Sequence, residues 1–493
     1  MNIFKLLHQS KLALTKESEI ELAYFFGEHL KDIEFLNLKK PWYSGIFFQI
    51  LAFFGKVLFN LSFFSESVTK NEIFLYSGSL NQFNSSISIV KSLRKNKYKF
   101  NHIINKNIEQ KNLDYKVIKL KFSLKIFLVT IILFLTRYLS LISKFKKKNR
   151  IVKISWYSSL FCEAYSYVPY FLDLLTKAKP KIVIVSNDHS LNCRSLRLAA
   201  EMLGIKTLYL QHASVSNIFP PLEFDFALLD GSIAYKTYIS CYKNNKNNSR
   251  VKKNATKCKV LLTGQKKFIY KNLKPFRFKT LFIGLAINEL DDFSHLSLLL
   301  NNLSLAKVKC SVRLHPNQDL SFVKELKKYM KNKNWIIFSD SKKQSVNNYL
   351  KNLDVLIAGN SSIHLEAALA GLPTFYYEMS DNVIKPDYYN YVKNGITKKL
   401  KNNFTFQELK NLTKKTHNDT KRQQAIKKYS ETYQTHWQSK EGELTQEVIK
   451  RILKNQSFND LFNIKNSKIY DSIYYPRANN LTKKVKITSN FKK

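Results

Sequence analysis

Two groups of residues in this sequence carry chemistry. The first is Arg313-Leu314-His315-Pro316 together with Gly359-Asn360-Ser361-Ser362 and Glu366. The Arg313 guanidinium, the His315 imidazole, the Asn360 amide and the Ser361 and Ser362 hydroxyls can all donate to an anion. The Gly359–Ser362 turn leads from a short apolar run, 354–358, into strong helix formers, 363–370. The first amides of a helix are unpaired and carry the positive end of its dipole, so phosphate is the anion that suits such a turn. Glu366 follows Ser362 by one helical turn, where a carboxylate can accept hydrogen bonds from ribose hydroxyls. Arg313 suits either a phosphate or a neighbouring helix end. The second group is Asp188-His189, Gln211-His212 and Asp230-Gly231, each closing an apolar run (181–186, 206–210 and 224–229). Aspartate and histidine are the residue types of proton transfer. Asp188, His189, His212 and Asp230 therefore all stand as candidate general bases, and each also suits a role in holding its loop. His295 and His364 read as surface or structural.

Short apolar runs followed by turns and helix formers recur along the chain, and they set these residues in place. This alternation predicts an α/β fold with two doubly wound, Rossmann-like domains facing a cleft and helical additions at the N-terminus. In such sheets ligands sit beyond the C-terminal strand ends, where both groups of residues fall. The expected divisions are a helical segment over 1–70, a first Rossmann-like domain over 71–265, a second over 280–453, and a loosely held polar tail over 454–493. Residues 72–77 read as the first strand, with the 78–82 loop behind it facing the cleft. The lysine- and asparagine-rich stretch 243–257 reads as an exposed loop, and 266–279 as the interdomain linker.

Lys and Arg number 81 against 36 Asp and Glu, a net charge of +45, and 44% of residues are hydrophobic. That excess suits anionic substrates or an anionic membrane surface. No zinc spacing, helix-turn-helix or RNA-binding signature accompanies it, so nucleic acid is not expected as a partner. The five scattered cysteines form no CxxC pair and suit a reducing cytoplasm. Asp291-Asp292 reads as an acidic pair in a helical context, so no metal site and no resident cofactor are expected. Two stretches are apolar enough to meet lipid. The aromatic-rich 42–64 is interrupted by Lys56. Residues 122–143, an expected insertion over about 121–150, end in the basic run 144–150. Both are expected to be buried or to lie in an interface, because only 126–136 is free of charge, too short for a core of ~30 Å.

The order DHS, YLQHAS, FALLDG, LTG, RLHP and DVLIAGNSSIHLEAALAGLP resembles bacterial glycosyltransferases of the GT-B fold that build capsular, lipopolysaccharide and other cell-envelope glycans. It is similar to sialyl- and polysialyltransferase-like and CDP-glycerol glycerophosphotransferase-like proteins. The resemblance implies a nucleotide-activated donor, CMP- or CDP-linked by preference, and a glycan or lipid-linked acceptor. It implies transfer without a metal and with inversion. His315, Ser361 and Ser362 would hold the donor phosphate, and Glu366 the ribose or base. The protein would work in the cytoplasm or on the inner face of the cytoplasmic membrane. A sugar-nucleotide 2-epimerase and a non-catalytic scaffold of a polysaccharide assembly complex are the alternatives.

Overall fold

The computed structural model describes residues 1–24, 43–63, 68–108, 113–147, 151–245, 248–266, 281–305, 308–316, 318–381 and 386–477. The chain divides into two compact units, Met1–Lys267 with Glu441–Lys493, and Phe268–Lys440.

The first unit opens with three helices, α1 (Ile3–Lys16), α2 (Glu19–Leu22) and α3 (Ile46–Phe59). Then come β1 (Ile73–Ser77), α4 (Leu80–Lys95), β2 (Phe100–Ile104) and β3 (Ile118–Lys119), followed by α5 (Leu124–Lys147), α6 (Ile151–Cys162) and α7 (Ala164–Ala178). The alternation continues through β4 (Ile182–Val185), α8 (Leu191–Met202), β5 (Lys206–Leu210), β6 (Phe226–Leu229), α9 (Ser232–Asn245), α10 (Ser249–Ala255) and β7 (Lys259–Leu262). The second unit runs β8 (Ile283–Ala286), α11 (Phe293–Ser304), β9 (Cys310–Arg313), α12 (Leu320–Met330), β10 (Ile336–Ser339), α13 (Val346–Leu350) and β11 (Val355–Ala358). It ends with α14 (Ile363–Leu369), β12 (Thr374–Tyr376), β13 (Lys398–Lys399), α15 (Phe406–His417) and α16 (Thr420–Tyr429). The chain then returns to the first unit with α17 (Glu441–Lys454), β14 (Phe462–Asn466) and β15 (Ser472–Pro476).

Strands such as IVIV in β4 and VLIA in β11 are buried along their whole length, as strands covered on both faces must be. The first sheet has the order β14-β15-β7-β6-β5-β4-β1-β2-β3, and every pairing is parallel except β14 with β15. The second has the order β10-β9-β8-β11-β12-β13 and is parallel throughout. Both begin with one strand, build outward on one side, then cross back to the other side of that strand. Each unit is therefore a Rossmann-like, doubly wound domain, as the alternation predicted. Its topological switch point lies between β1 and β4 in the first unit and between β8 and β11 in the second.

Several boundaries differ from those expected. The N-terminal helices are part of the first unit, because Leu6, Ala13 and Leu14 are buried in its core. The expected loop over 243–257 holds the end of α9 and the whole of α10. Asn248 caps α10 by accepting from the Arg250 and Val251 amides, and Val251 and Ala255 are buried. The helix that ends the chain's last alternation, expected in the second domain, is α17, and it packs on α4 of the first. Gly442 lets the two backbones meet, since a Cβ there would stand 2.6 Å from the Ser88 carbonyl oxygen. The tail beyond 454 forms β14 and β15, held by buried Phe462, Tyr470, Ile473 and Tyr474. Residues 478–493 lie outside the described residues, as does all of the expected linker except Lys266.

Helix α5 is long and apolar enough over Leu124–Phe145 to cross a membrane by length and composition, but part of that stretch, including Ile126, Val129, Leu133 and Leu141, is buried within the protein. Lys125 reaches Asp173 at 2.5 Å and Arg137 reaches Glu19 at 2.9 Å, tying one face to the first unit's core. A buried ion cluster fixes the end of α1. Glu17 pairs with Arg194, Arg197 and Arg250, and Glu223 with Arg194 and Arg250. Burial opposes the Glu17 charge, but the three guanidiniums win and hold its carboxyl at about 2.

Candidate functional site

In the first unit the polar residues gather where the strands end. After β4, Asn187 Oδ1 accepts from the His189 amide at 2.9 Å and the Ser190 amide at 2.6 Å. This side-chain-closed turn presents Asp188 and His189 together. Asp188 is 2% exposed. Its Oδ1 lies 2.8 Å from His189 Nδ1, and its Oδ2 lies 2.5 Å from Tyr238 Oη, itself 3.0 Å from Tyr209 Oη. Burial, with Asp188 adding to it, pushes both phenols well above their usual range, so they remain donors. A carboxylate on Nδ1 fixes the proton there and leaves the lone pair on Nε2. Asn187 Nδ2 stands 3.2 Å from Nε2, in keeping with that tautomer, and Phe219 packs on the ring at 4.5 Å between centroids. The pair is thus an imidazole oriented by a buried carboxylate, the arrangement of a general base.

The other two candidates sit at the neighbouring strand ends. His212 is half-buried in the loop after β5. Beside it, Gln211 accepts from the Asp230 amide at 2.8 Å and so ties the loops after β5 and β6. Asp230 faces Lys266 Nζ at 3.0 Å, and the ammonium also donates to the Leu228 carbonyl. Lys266 is 3% exposed; burial lowers its pKa, and Asp230 opposes that. A carboxylate already neutralised by a buried ammonium is a poor proton acceptor. Nothing in the sequence marked Lys266, which stands at the edge of the expected linker.

At the switch point, the Gly78 amide donates to Gln82 Oε1 at 2.8 Å, and Asn192 donates to Tyr76 Oη at 2.8 Å. Of the expected 78–82 loop only Gly78 and Ser79 precede α4, which Ser79 caps, and they lie beside the start of α8 that follows the Asp188–His189 turn. Asn105, close to the Gly78 carbonyl, also lines a cavity of about 370 Å³ with Lys56, Asn60, Glu163 and Tyr167. Lys56 meets Glu163 at 2.5 Å, while burial of Glu163 raises its pKa. A larger cavity of about 610 Å³ lies at the opposite ends of β4 and β5. Its described lining holds lysines but no carboxylate or imidazole, so it lacks acid–base chemistry.

In the second unit, Asn288 Nδ2, after β8, donates to the Asn360 carbonyl, after β11, at 2.7 Å and bridges the switch point. Asn360 Oδ1 accepts from the Tyr388 amide, and Ser361 Oγ from the Ile363 amide. Ser362 is exposed at the start of α14 and makes no side-chain cap. Only seven residues long, α14 adds little dipole of its own. The donors this turn offers are therefore mainly its side chains. Arg313 is 8% exposed, donates to Ser339 Oγ at 3.4 Å and lies 5.4 Å over the Tyr349 ring. Burial lowers its pKa, while Tyr349, buried Glu366 and Asp340 hold the charge in place. His315, half-buried, stands 3.4 Å from Glu289. His364 is structural, as expected. Its Nε2 lies 3.2 and 3.1 Å from the Ala358 and Gly359 carbonyls, and burial pushes it down to about 4.

Asp291 corrects the sequence reading. It precedes α11 and is 9% exposed, with Oδ2 accepting from the Asn288 amide at 2.7 Å. A Cβ on Gly359 would stand 3.0 Å from its Oδ1. Burial raises this carboxyl to about 7, so in neutral solution it can be a proton donor at the floor of the Gly359 turn. The neighbouring aspartate in the sequence makes the pair look like a helix start, which is the part Asp292 alone plays.

No protein-family model matches the chain, and no curated protein matches it. Among solved structures the chain is similar to the UDP-GlcNAc 2-epimerase from Neisseria meningitidis bound to UDP-GlcNAc. Identity is 11% and the TM-score 0.46, over 78% of this chain and 100% of that one. It is similar to the glycosyltransferase SnogD from Streptomyces nogalater at 10% identity and a TM-score of 0.43, over 78% and 100%. It is likewise similar to the glycosyltransferase of kitacinnamycin at 10% identity and a TM-score of 0.45, over 78% and 99%. Likeness at this level transfers no reaction to this chain, and the fold assignment rests on strand order and pairing.

Proposed function

We propose that this chain is a glycosyltransferase that moves a sugar, or a sugar-alcohol phosphate, from a nucleotide donor to a hydroxyl of a growing cell-surface glycan. The observation that carries the reading is the buried Asp188 holding His189 by Nδ1 at the switch point of the first sheet. With a sugar donor, His189 Nε2 takes the proton of the acceptor hydroxyl as its oxygen attacks the anomeric carbon. Asp188 stabilises the imidazolium that forms. The bond from that carbon to the donor phosphate breaks, and its electron pair leaves on the phosphate oxygen. A single displacement inverts the centre. With a sugar-alcohol phosphate donor the acceptor oxygen attacks that phosphate's phosphorus instead, the P–O bond to the rest of the nucleotide breaks, and the nucleoside monophosphate leaves with its electron pair. Arg313, His315, Asn360, Ser361 and Ser362 meet the growing phosphate charge, a task for which cationic and hydroxyl donors suffice without a metal. Glu366 is assigned to the ribose or base. The motif order favours a CMP- or CDP-linked donor.

The test is thermal shift of the purified chain with CMP, CDP, UDP, GDP and their sugar or glycerol conjugates, wild type beside His315→Ala. A nucleotide that stabilises the wild type and not the variant supports the reading and names the donor class. Turnover of a nucleotide sugar without any acceptor would point instead to an epimerase, and no shift with any nucleotide would overturn the donor site.

A further inference from the structure

Four leucines of α5, Leu124, Leu128, Leu135 and Leu139, are between 42% and 78% exposed. At 100° per residue they fall within roughly 60° of the helix circumference. The opposite face carries buried Ile126, Val129 and Leu133 and the Arg137–Glu19 pair, and Lys125, on the flank, pairs with Asp173, so that the helix is bound to its own unit. Helix α3 repeats the pattern. Phe47 is 67% and Leu51 53% exposed, while Phe53 packs inward on Phe134 of α5. Helix α5 is thus held along one side by its own unit while its outer stripe is apolar.

Charge identifies what covers that stripe. The sequences of α1, α3 and α5 contain no aspartate or glutamate. Lys5 and Lys11 of α1 and Lys144 of α5 are exposed and form no ion pair among the described residues. A protein partner would ordinarily answer lysines and leucines with a mixed surface. Apolar stripes on helices whose only charged residues are lysine and arginine match the interface of an anionic bilayer, where leucine and phenylalanine enter the acyl boundary and lysine meets phosphate. We propose that the outward faces of α3 and α5 dock the protein on an anionic membrane surface, with α5 lying in the interface and not spanning it. This inference is independent of the reaction proposed above.

Co-sedimentation of the full chain with phosphatidylcholine vesicles, with and without phosphatidylglycerol, tests it. Expected are binding to the anionic vesicles and at least a tenfold weaker partition for Leu135→Gln/Leu139→Gln. Phe47→Gln/Leu51→Gln repeats the test on the other helix, should the first variant melt early. Leu290→Gln/Leu305→Gln, on two exposed leucines of the second unit, should bind as the wild type does. Equal binding of all variants would mean that net charge alone holds the vesicles and would overturn the proposal. So would no binding at all, or a dimer in light scattering that the α5 variant converts to a monomer while vesicle binding is unchanged.

Discussion

At the residue scale the two domains treat their carboxylates in opposite ways. Asp188 gives one oxygen to an imidazole and the other to a phenol, whereas Asp291 is buried with one amide donor and holds its proton up to about pH 7. On the proposed reaction, His189→Ala should lower kcat by ~10²–10⁴ with little change in KM. Asp188→Asn should do nearly as much harm, because an amide can orient the ring the wrong way round. Steady-state kinetics with the donor found by thermal shift would show both, and an unchanged kcat in His189→Ala would move the base elsewhere. Asp291 makes a prediction about stability. Its folded-state pKa is raised from 3.8 to about 7, so the unfolded chain releases the proton first as pH rises. Folding then loses stability between about pH 4 and 7, on the order of 1.4 kcal/mol for each pH unit crossed. Asp291→Asn, which mimics the protonated side chain, should leave the midpoint at pH 4 unchanged and raise it at pH 8. Melting curves at the two pH values check this.

At the element scale the N-terminal helices are held by ions as much as by oil. Glu17 has the reverse linkage to Asp291. Its carboxyl is depressed from 4.5 to about 2, so its contribution is complete above pH 4.5 and disappears as pH falls towards 2. Glu17→Gln should cost about 3–5 kcal/mol at neutral pH, since three guanidiniums lose a buried partner and Glu223 is the buried carboxylate left to Arg194 and Arg250. Chemical denaturation read at the first unit's aromatic residues measures it. Gly442→Ala should cost about 1–3 kcal/mol, because the added methyl meets the backbone of α4 and not a movable side chain. The core strands could be read from sequence because β1, β4, β5, β6, β7 and β11 are mostly apolar runs with turn residues behind them. The positions of the candidate residues were legible for the same reason: Asp188, His189 and Ser361 sit just beyond where β4 and β11 stop. What could not be read depended on contacts distant in sequence. Helix α10 hides in a lysine- and asparagine-rich stretch whose few apolar residues matter only against the core. Lys266 and Asp291 look like ordinary surface charges until the fold buries them. The leucine stripe of α5 could not be told from a core stripe, since period alone does not say which face turns outward.

At the scale of the whole molecule, the second unit is an excursion in the sequence of the first, which is finished only by α17, β14 and β15. The 454–493 tail looks loosely held in sequence because its composition is polar. Yet β15 supplies the parallel partner of β7, with Ser472 opposite Lys259. A chain ending at Lys454 should leave the β7 edge bare and its amides open to hydrogen exchange, and it should aggregate at concentrations where the full chain does not. Unchanged protection of residues 259–262 in the shortened chain would show that the tail only decorates the sheet.

That arrangement has a consequence for synthesis. A ribosome making this protein releases β7 long before the strand that will lie beside it, and the whole second unit is translated in the interval. At ~5–20 residues per second the wait is on the order of ten seconds or more. Throughout it the nascent first unit exposes a sheet edge of apolar strands, so its yield in the cell should depend on a holding chaperone more than its final stability suggests.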